Sequence, residues 1–154
     1  MRAQTGASPG SEGLRIRRGD VVVFDLPDSS KQGIKRIVGM PGEAVRYVEK
    51  RLSVDGNVAI KSAKTTLPAT EPADLLFEQH LLDKSFNIFE LYGVSLTEAD
   101  SAGPGYFVLG DNRDDSFDSR EFGRLAETRI RCKALAVIGT ERKDWIVFNR
   151  IRLL

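Results

Sequence analysis

The sequence predicts a single, mainly β domain, and three observations carry that prediction. Short apolar runs rich in β-branched residues recur, as at Val21–Phe24 and Gly33–Val38. Turn chemistry separates them, as at Leu26-Pro27-Asp28-Ser29-Ser30, Gly39-Met40-Pro41-Gly42 and Asp55-Gly56-Asn57. Runs of this kind bounded by such clusters are the mark of β-strands. With 154 residues, 41% apolar and 29% charged, the chain is sized for one globular domain with a real core.

Each element follows from its own residues. Gly19-Asp20 opens the first strand, Val21 to Phe24, and the Pro-Asp-Ser cluster closes it. The second strand, Gly33 to Val38, stops at the Gly-Met-Pro-Gly segment. Side chains alternate along a strand. Lys35 therefore shares a face with Gly33 and Ile37, while Ile34, Arg36 and Val38 share the other. Whichever face is buried, a basic residue lies among apolar ones. Glu43 to Tyr47 is a third strand, and Leu52–Val54 and Val58–Ile60 flank the Asp55-Gly56-Asn57 hairpin turn.

Lys61 to Pro72 reads as a polar loop. Leu75 to Leu82 fits a short helix, with Thr70 capping and Pro72 in the first turn. It also fits a strand paired with Phe86–Leu91 across Asp83-Lys84. The aromatic, alternating second run favours the hairpin. Thr97 to Gly105 is a loop, and Tyr106 to Leu109 a strand. Ala134–Ile138 and Trp145–Phe148 are closing strands around a charged turn, Glu141 to Asp144. Residues 1–14 are polar and contain Gly, Ser and Pro, so a disordered tail is expected, and they lack the apolar core of a signal peptide. No internal repeat is present.

The totals exclude several functions. A net charge of +1 offers no electrostatic case for nucleic acid. Cys132 is the single cysteine, which rules out an internal disulfide and a cysteine-rich zinc site, and its apolar surroundings suit a small buried hydrophobe. No apolar run reaches the 18 or so residues that a membrane-crossing helix needs.

One stretch holds more polar chemistry than a turn requires. Residues 107–124 read FVLGDNRDDSFDSREFGR, a short apolar run followed by interleaved charges of both signs. Asp111, Asp114, Asp115 and Asp118 alternate with Arg113 and Arg120 around Asn112, Ser116 and Ser119. A solvated acidic turn would suffice for such a composition. The alternative is a loop that braces itself and presents one or two groups to a site. An EF-hand is excluded: counted from Asp111, Arg113 takes the third position, Ser116 the sixth and Phe122 the twelfth, where ligands, a Gly and a Glu are needed.

The inventory restricts catalysis. His80 is the only histidine and lies far from any GxSxG, which suits a structural or surface role rather than a triad. No HExxH, CxxC or phosphate-cradling glycine loop is present. For covalent catalysis that leaves lysine as the base. Free lysine has a pKa of about 10.4, and full burial can lower it by about 3–5 units. Lys35, between Ile34 and Ile37, is the position where this could happen, against the alternative of a lysine snorkelling to solvent from an edge strand.

RGDVVVF (18–24), IKRIVGMPGE (34–43) and FVLGDNRDDSFDSREFG (107–123), in that order, resemble three characteristic segments of the type I signal peptidases. IRCKALAVI (130–138) is similar to the segment that follows them, and the likeness spans roughly residues 15–150. The resemblance implies an antiparallel β catalytic core in residues 15–154, with a more variable insertion at about 48–104. It implies a membrane-anchored Ser-Lys protease that removes signal peptides from exported preproteins on the extracytoplasmic side, without metal or cofactor. By that likeness Lys35 is the general base and Ser116 orients its amine. Asp118 and Arg120 form a buried ion pair, and Asp111, Asn112, Arg113 and Ser119 support the loop.

The family's nucleophilic serine lies in an S-x-S-M-x-P-T segment after a membrane anchor. Residues 1–34 contain no match: Ser8, Ser11, Ser29 and Ser30 all lack the context. The expectations are a fragment or mis-started reading of a complete enzyme, or an inactive homologue that binds peptides or regulates. A nucleophile at Ser8 or Ser11 is disfavoured because a flexible tail holds no geometry. A self-cleaving repressor of the related Ser-Lys type is also disfavoured, for want of a helix-turn-helix or a basic face.

Overall fold

The computed structural model describes residues 15–27, 29–66, 74–91 and 98–134, with the backbone alone at 65, 66 and 74. In chain order the strands are β1 (Val21–Asp25), β2 (Gln32–Gly39), β3 (Val45–Val48), β4 (Arg51–Val54), β5 (Asn57–Val58) and β6 (Ile60–Thr66). They continue with β7 (Asp74–Leu81), β8 (Lys84–Leu91), β9 (Ala99–Ser101), β10 (Phe107–Leu109) and β11 (Ile130–Ala134). A one-turn helix, α1 (Ser119–Phe122), and a 3-10 turn, Glu127–Arg129, lie between the last two strands. The fold is mainly β, as the sequence predicts.

Three sheets form, in the orders β10-β2-β1-β11, β5-β4-β3-β9 and β6-β7-β8. Every strand ladder among the described residues is antiparallel. The first sheet is covered on both faces. On one, Val22, Phe24, Ile37 and Val108 pack with Ile16, Tyr106 and Leu125. On the other, Val38, Phe107 and Leu109 meet Val45, Tyr47, Leu52, Leu81 and Ile88 from the other two sheets. β2 thus carries apolar residues on both sides at its C-terminal end, and Lys35 and Arg36 enter opposite faces of the sheet.

The two hairpin turns expected from the sequence obey local rules. Val54 pairs with Asn57, leaving Asp55-Gly56 as a two-residue loop with φ of 48° and 77°. These positive values match the primed turns that join twisted strands. Leu81 pairs with Lys84, so the β7–β8 turn is Leu82-Asp83, one residue earlier than expected. The strand reading of Leu75–Leu82 holds over the helical one.

Other expectations needed correction. The polar run from Lys61 is strand as far as Thr66, because β6 finds a ladder partner in β7, with an irregularity between Ala63 and Thr65. Residues 67–72 of that expected loop lie outside the described residues. Ala99–Ser101, expected within a loop, pairs with β3. Ile130–Ala134 is a strand, pulled in by pairing with β1. The expected closing strands from 135 onwards, and the expected tail at 1–14, lie outside the described residues. Cys132 is buried on β11 at 2% exposure, as its apolar context suggested.

Candidate active site

β2 sets the position of Lys35. β1 pairs with β2 along its whole length, but β10 pairs with it only from Arg36 to Gly39. Residues 32–35 therefore have no ladder partner on the β10 side among the described residues. Leu109 opposes Arg36, so the register brings Gly110 opposite Lys35. The acidic loop begins at the lysine.

Lys35 is half-buried, and no hydrogen bond or ion pair to a described residue holds its amine. Burial pushes its pKa below the ordinary lysine value. The negative charge of Asp118 opposes that shift, Arg120 adds to it, and Asp111 and Asp115 oppose it more weakly. Asp118 and Arg120 are thus the charges that the amine feels most.

Asp118 is fully buried and saturated with donors. Its Oδ1 accepts from Arg120 Nε at 2.9 Å and from the Arg120 amide at 3.2 Å. Its Oδ2 accepts from Arg120 Nη2 and from the Gly110 amide, both at 2.9 Å. The expected Asp118–Arg120 ion pair is present, with side chains 0% and 2% exposed. Asp118 also caps α1, and Glu121 returns the bond by accepting from the Asp118 amide at 3.0 Å. Sequence reasoning missed this capping box, although the D-x-x-E spacing at 118–121 carried its signal. Ser119 Oγ accepts from the Val108 amide at 2.9 Å, tying the helix back to β10.

The first half of the loop is held differently. Arg36 donates from Nε and Nη2 to the two oxygens of Asp111, at 2.8 and 2.6 Å, and from Nη1 to the Gly19 carbonyl at 2.7 Å. Arg113 is 1% exposed. It donates from Nε to the Gly110 carbonyl at 3.1 Å and from Nη2 to Gln79 Oε1 at 2.5 Å. The guanidinium groups of Arg113 and Arg120 both lie over the ring of Tyr47, at 5.9 and 5.2 Å. Asn112 makes a backbone bridge to Phe89, and its side-chain oxygen is buried without a partner.

Ser116 packs against Gly110. A Cβ at position 110 would sit 2.1 Å from Ser116 Oγ, so only glycine fits there. The hydroxyl is buried and has no hydrogen-bond partner, so the Ser116–Lys35 bond implied by the resemblance is not made in this structure. The structure brings Ser116, Asp118 and Arg120 to the loop segment that begins opposite Lys35. His80 lies exposed on β7, its Nδ1 bonded to Ser85 Oγ at 2.7 Å, apart from this cluster. Among the described residues no group of three or more His, Cys, Asp or Glu is arranged to hold a metal.

Sequence reasoning missed Arg36, Tyr47, Gln79 and Asp114 as parts of this assembly. The adjacency of Arg36 to Lys35 in a basic strand was a signal. Gln79 and Tyr47 carried none, because their partners are 34 positions away or further.

The result is an antiparallel β protein whose half-buried lysine sits on an open strand edge beside a buried carboxylate–arginine pair. Residues 11–139 match the family described as signal peptidase, peptidase S26. The chain is 38% identical over 120 residues to signal peptidase I V of Bacillus subtilis strain 168, covering 75% of this chain and 62% of that protein. It is 38% identical over 144 residues to signal peptidase I of Pseudomonas aeruginosa PAO1, covering 79% and 48%. A crystal structure of a signal peptidase I from Enterococcus faecalis V583 aligns with a TM-score of 0.46 at 25% identity, covering 77% of this chain and 96% of that one. The chain belongs to the signal peptidase family. It spans about half to three-fifths of the length of these curated relatives. No helix among the described residues is long and apolar enough to cross a membrane.

Proposed function

We propose that this chain carries the lysine half of a Ser-Lys signal peptidase. The observation that carries the reading is the burial of Lys35 on an unpaired strand edge, opposite the start of the Gly110–Arg120 loop. A lysine works as a general base only when neutral, and a lowered pKa raises its neutral fraction near pH 7. Lys35 takes the proton of a serine hydroxyl as that oxygen attacks the carbonyl carbon of the scissile peptide bond. The C–N bond then breaks, the leaving amine is protonated, and water hydrolyses the acyl-enzyme.

Ser116 is the residue that orients the lysine amine, through the buried hydroxyl that has no partner among the described residues. Asp111, Asn112, Arg113, Asp118, Ser119 and Arg120 hold the loop in place. The nucleophile comes from an S-x-S-M-x-P-T segment outside this sequence. The substrate is the signal peptide of an exported preprotein, extended along the free side of β2 at residues 32–35 by strand addition. The working enzyme is held at the extracytoplasmic face of a membrane by an anchor preceding the serine segment. Residues 48–104 form the insertion of the catalytic unit.

The test is cleavage of an Ala-x-Ala signal-peptide substrate by a longer chain that includes the upstream segment. Lys35→Ala should abolish turnover with the fold intact, and surviving activity would overturn the base assignment. The 154-residue chain alone should show no substantial cleavage. A catalytically inactive homologue that binds peptides or regulates is the second reading. That reading requires peptide binding without turnover in the longer chain.

A further inference from the structure

The peptidase reading leaves one feature unused: the grip of the β7–β8 hairpin on the first half of the acidic loop. The Phe89 amide donates to the Asp111 carbonyl at 2.8 Å, and the Arg113 amide donates to the Phe89 carbonyl at 2.9 Å. The Asp114 side chain is fully buried, and its Oδ2 accepts from the Leu91 amide at 2.5 Å and from Lys50 Nζ at 3.1 Å. Lys50 also donates to the Leu91 carbonyl at 2.5 Å. Gln79, at 0% exposure, accepts from Arg113 Nη2. The second half of the loop is held elsewhere, through Asp118 to Gly110 and Ser119 to β10. Ser116 lies between these two supports.

We propose that Gln79 and Asp114 are positioning residues, through which the β7–β8 hairpin sets the place of loop residues 110–116 against Lys35. The inference deepens the peptidase reading and rests on its assignment of Lys35 as the base.

The arrangement explains why a neutral amide is buried opposite an arginine. Arg113 has no carboxylate within 4.0 Å among the described residues, and its Nη1 has no partner. The Gln79 oxygen and the Gly110 carbonyl are therefore the acceptors that hold a buried cation in register. Gly110 is also the residue opposite Lys35, so Arg113 links Gln79 directly to the start of the site. Gln79 is well placed as an anchor, because it sits on the central strand of its sheet, paired with Lys61 on one side and Phe86 on the other. Side chains fixed on paired strands hold a site more exactly than side chains on loops. Asp114 secures the other end. Removing its carboxylate leaves the Leu91 amide and the Lys50 ammonium without this acceptor, and the hairpin then holds segment 111–114 through the two backbone bonds to Phe89 and the Gln79–Arg113 bond.

The test uses the 154-residue chain and needs no catalysis. The Lys35 amine is titrated by NMR, and amide hydrogen exchange is followed at residues 110–117, in wild type and in Gln79→Leu, Asp114→Ala and Asp114→Asn. The charged groups that act on the Lys35 amine are Asp118 and Arg120, then Asp111 and Asp115, and the last two lie in the segment that the hairpin holds. Loss of position admits water and moves these groups. The Lys35 proton affinity should then rise about tenfold in Gln79→Leu and Asp114→Ala, with loop amides exchanging about tenfold faster. Asp114→Asn keeps an acceptor for the Leu91 amide and should stay near wild type. Folded variants with an unchanged Lys35 midpoint and unchanged exchange would overturn the proposal. If Asp114→Ala fails to fold, Gln79→Leu decides by the same readouts. If Lys35 titrates as an ordinary lysine in wild type, the base assignment fails, and the exchange rates still decide whether the hairpin holds the loop.

Discussion

Arg36 grips Asp111 through two parallel hydrogen bonds, Nε to Oδ1 at 2.8 Å and Nη2 to Oδ2 at 2.6 Å, across 75 residues of sequence. Lys35 and Arg36 are neighbours that enter opposite faces of the sheet, and Gly110 and Asp111 are the two residues that follow Leu109, the last β10 residue paired with β2. The fork therefore fixes the start of the acidic loop against the strand that carries the lysine. Planar guanidinium–carboxylate pairing supplies the geometry that a lysine at 36 would lack.

Arg36→Ala should destabilise the protein by about 2 kcal/mol, the usual cost of losing hydrogen bonds to a charged group. Arg36→Lys should fall in between, since one ammonium cannot reproduce the fork. Urea unfolding measures both. An effect of Arg36→Ala below about 0.5 kcal/mol would mean that solvent screens the pair.

Asp118 and Arg120 form the more consequential pair. Asp118→Asn removes one charge and leaves a 2% exposed guanidinium side chain without its counter-charge. The expected loss is about 3–5 kcal/mol. Adding Arg120→Met should recover part of it, because the stranded charge is gone. Purely additive losses in this double-mutant cycle would contradict the coupling.

Gly110→Ala should cost about 1–3 kcal/mol, the range for overpacking a filled site. The added methyl would meet Ser116 Oγ at 2.1 Å and Ser116 Cβ at 2.5 Å. Ser116→Gly in the same chain removes both atoms and should restore part of the loss. An absence of rescue would place the strain elsewhere.

Lys35 should leave a signature in the pH dependence of stability. Burial lowers its folded pKa, so between the folded and unfolded values the unfolded chain binds more protons. Stability from this group therefore rises with pH through that alkaline window, up to the unfolded value of about 10.4, and is lowest below the folded pKa. Lys35→Met removes the cost of a charged, half-buried amine. It should be at least as stable as wild type at neutral pH and should lack the alkaline rise. Unfolding midpoints for both proteins across a pH series check this, and parallel curves would refute it. In the complete enzyme the same substitution should lower turnover by about 10²–10⁴-fold or more, the contribution of a general base.

Much of the frame was legible before any coordinates. Val21–Asp25 and Gln32–Gly39 announce themselves through β-branched runs between Gly, Pro and Asp clusters, because strand and turn preferences are local. The Asp55-Gly56 turn is local in the same way. The density of charge in residues 110–120 pointed to a braced loop, and the order of the motifs pointed to Lys35. Residues 61–66 and 99–101 were misread because polar segments become strands when a neighbour offers a ladder, and sequence does not display the neighbour.

The sequence by itself determined the β class, several strands, the Asp55-Gly56 turn and the acids, arginines and lysine available for chemistry, since all of these depend on side-chain type and short-range spacing. Tertiary structure alone decided how they meet. It set the register that puts Gly110 opposite Lys35, and it left the β2 edge open at residues 32–35. It packed two arginines on Tyr47, set Gln79 against Arg113 of the loop and buried Asp114 against Leu91. It buried the lysine enough to lower its pKa. Burial and register are long-range properties, set by which sheets pack together, and so the lysine's reactivity belongs to the fold rather than to the residue.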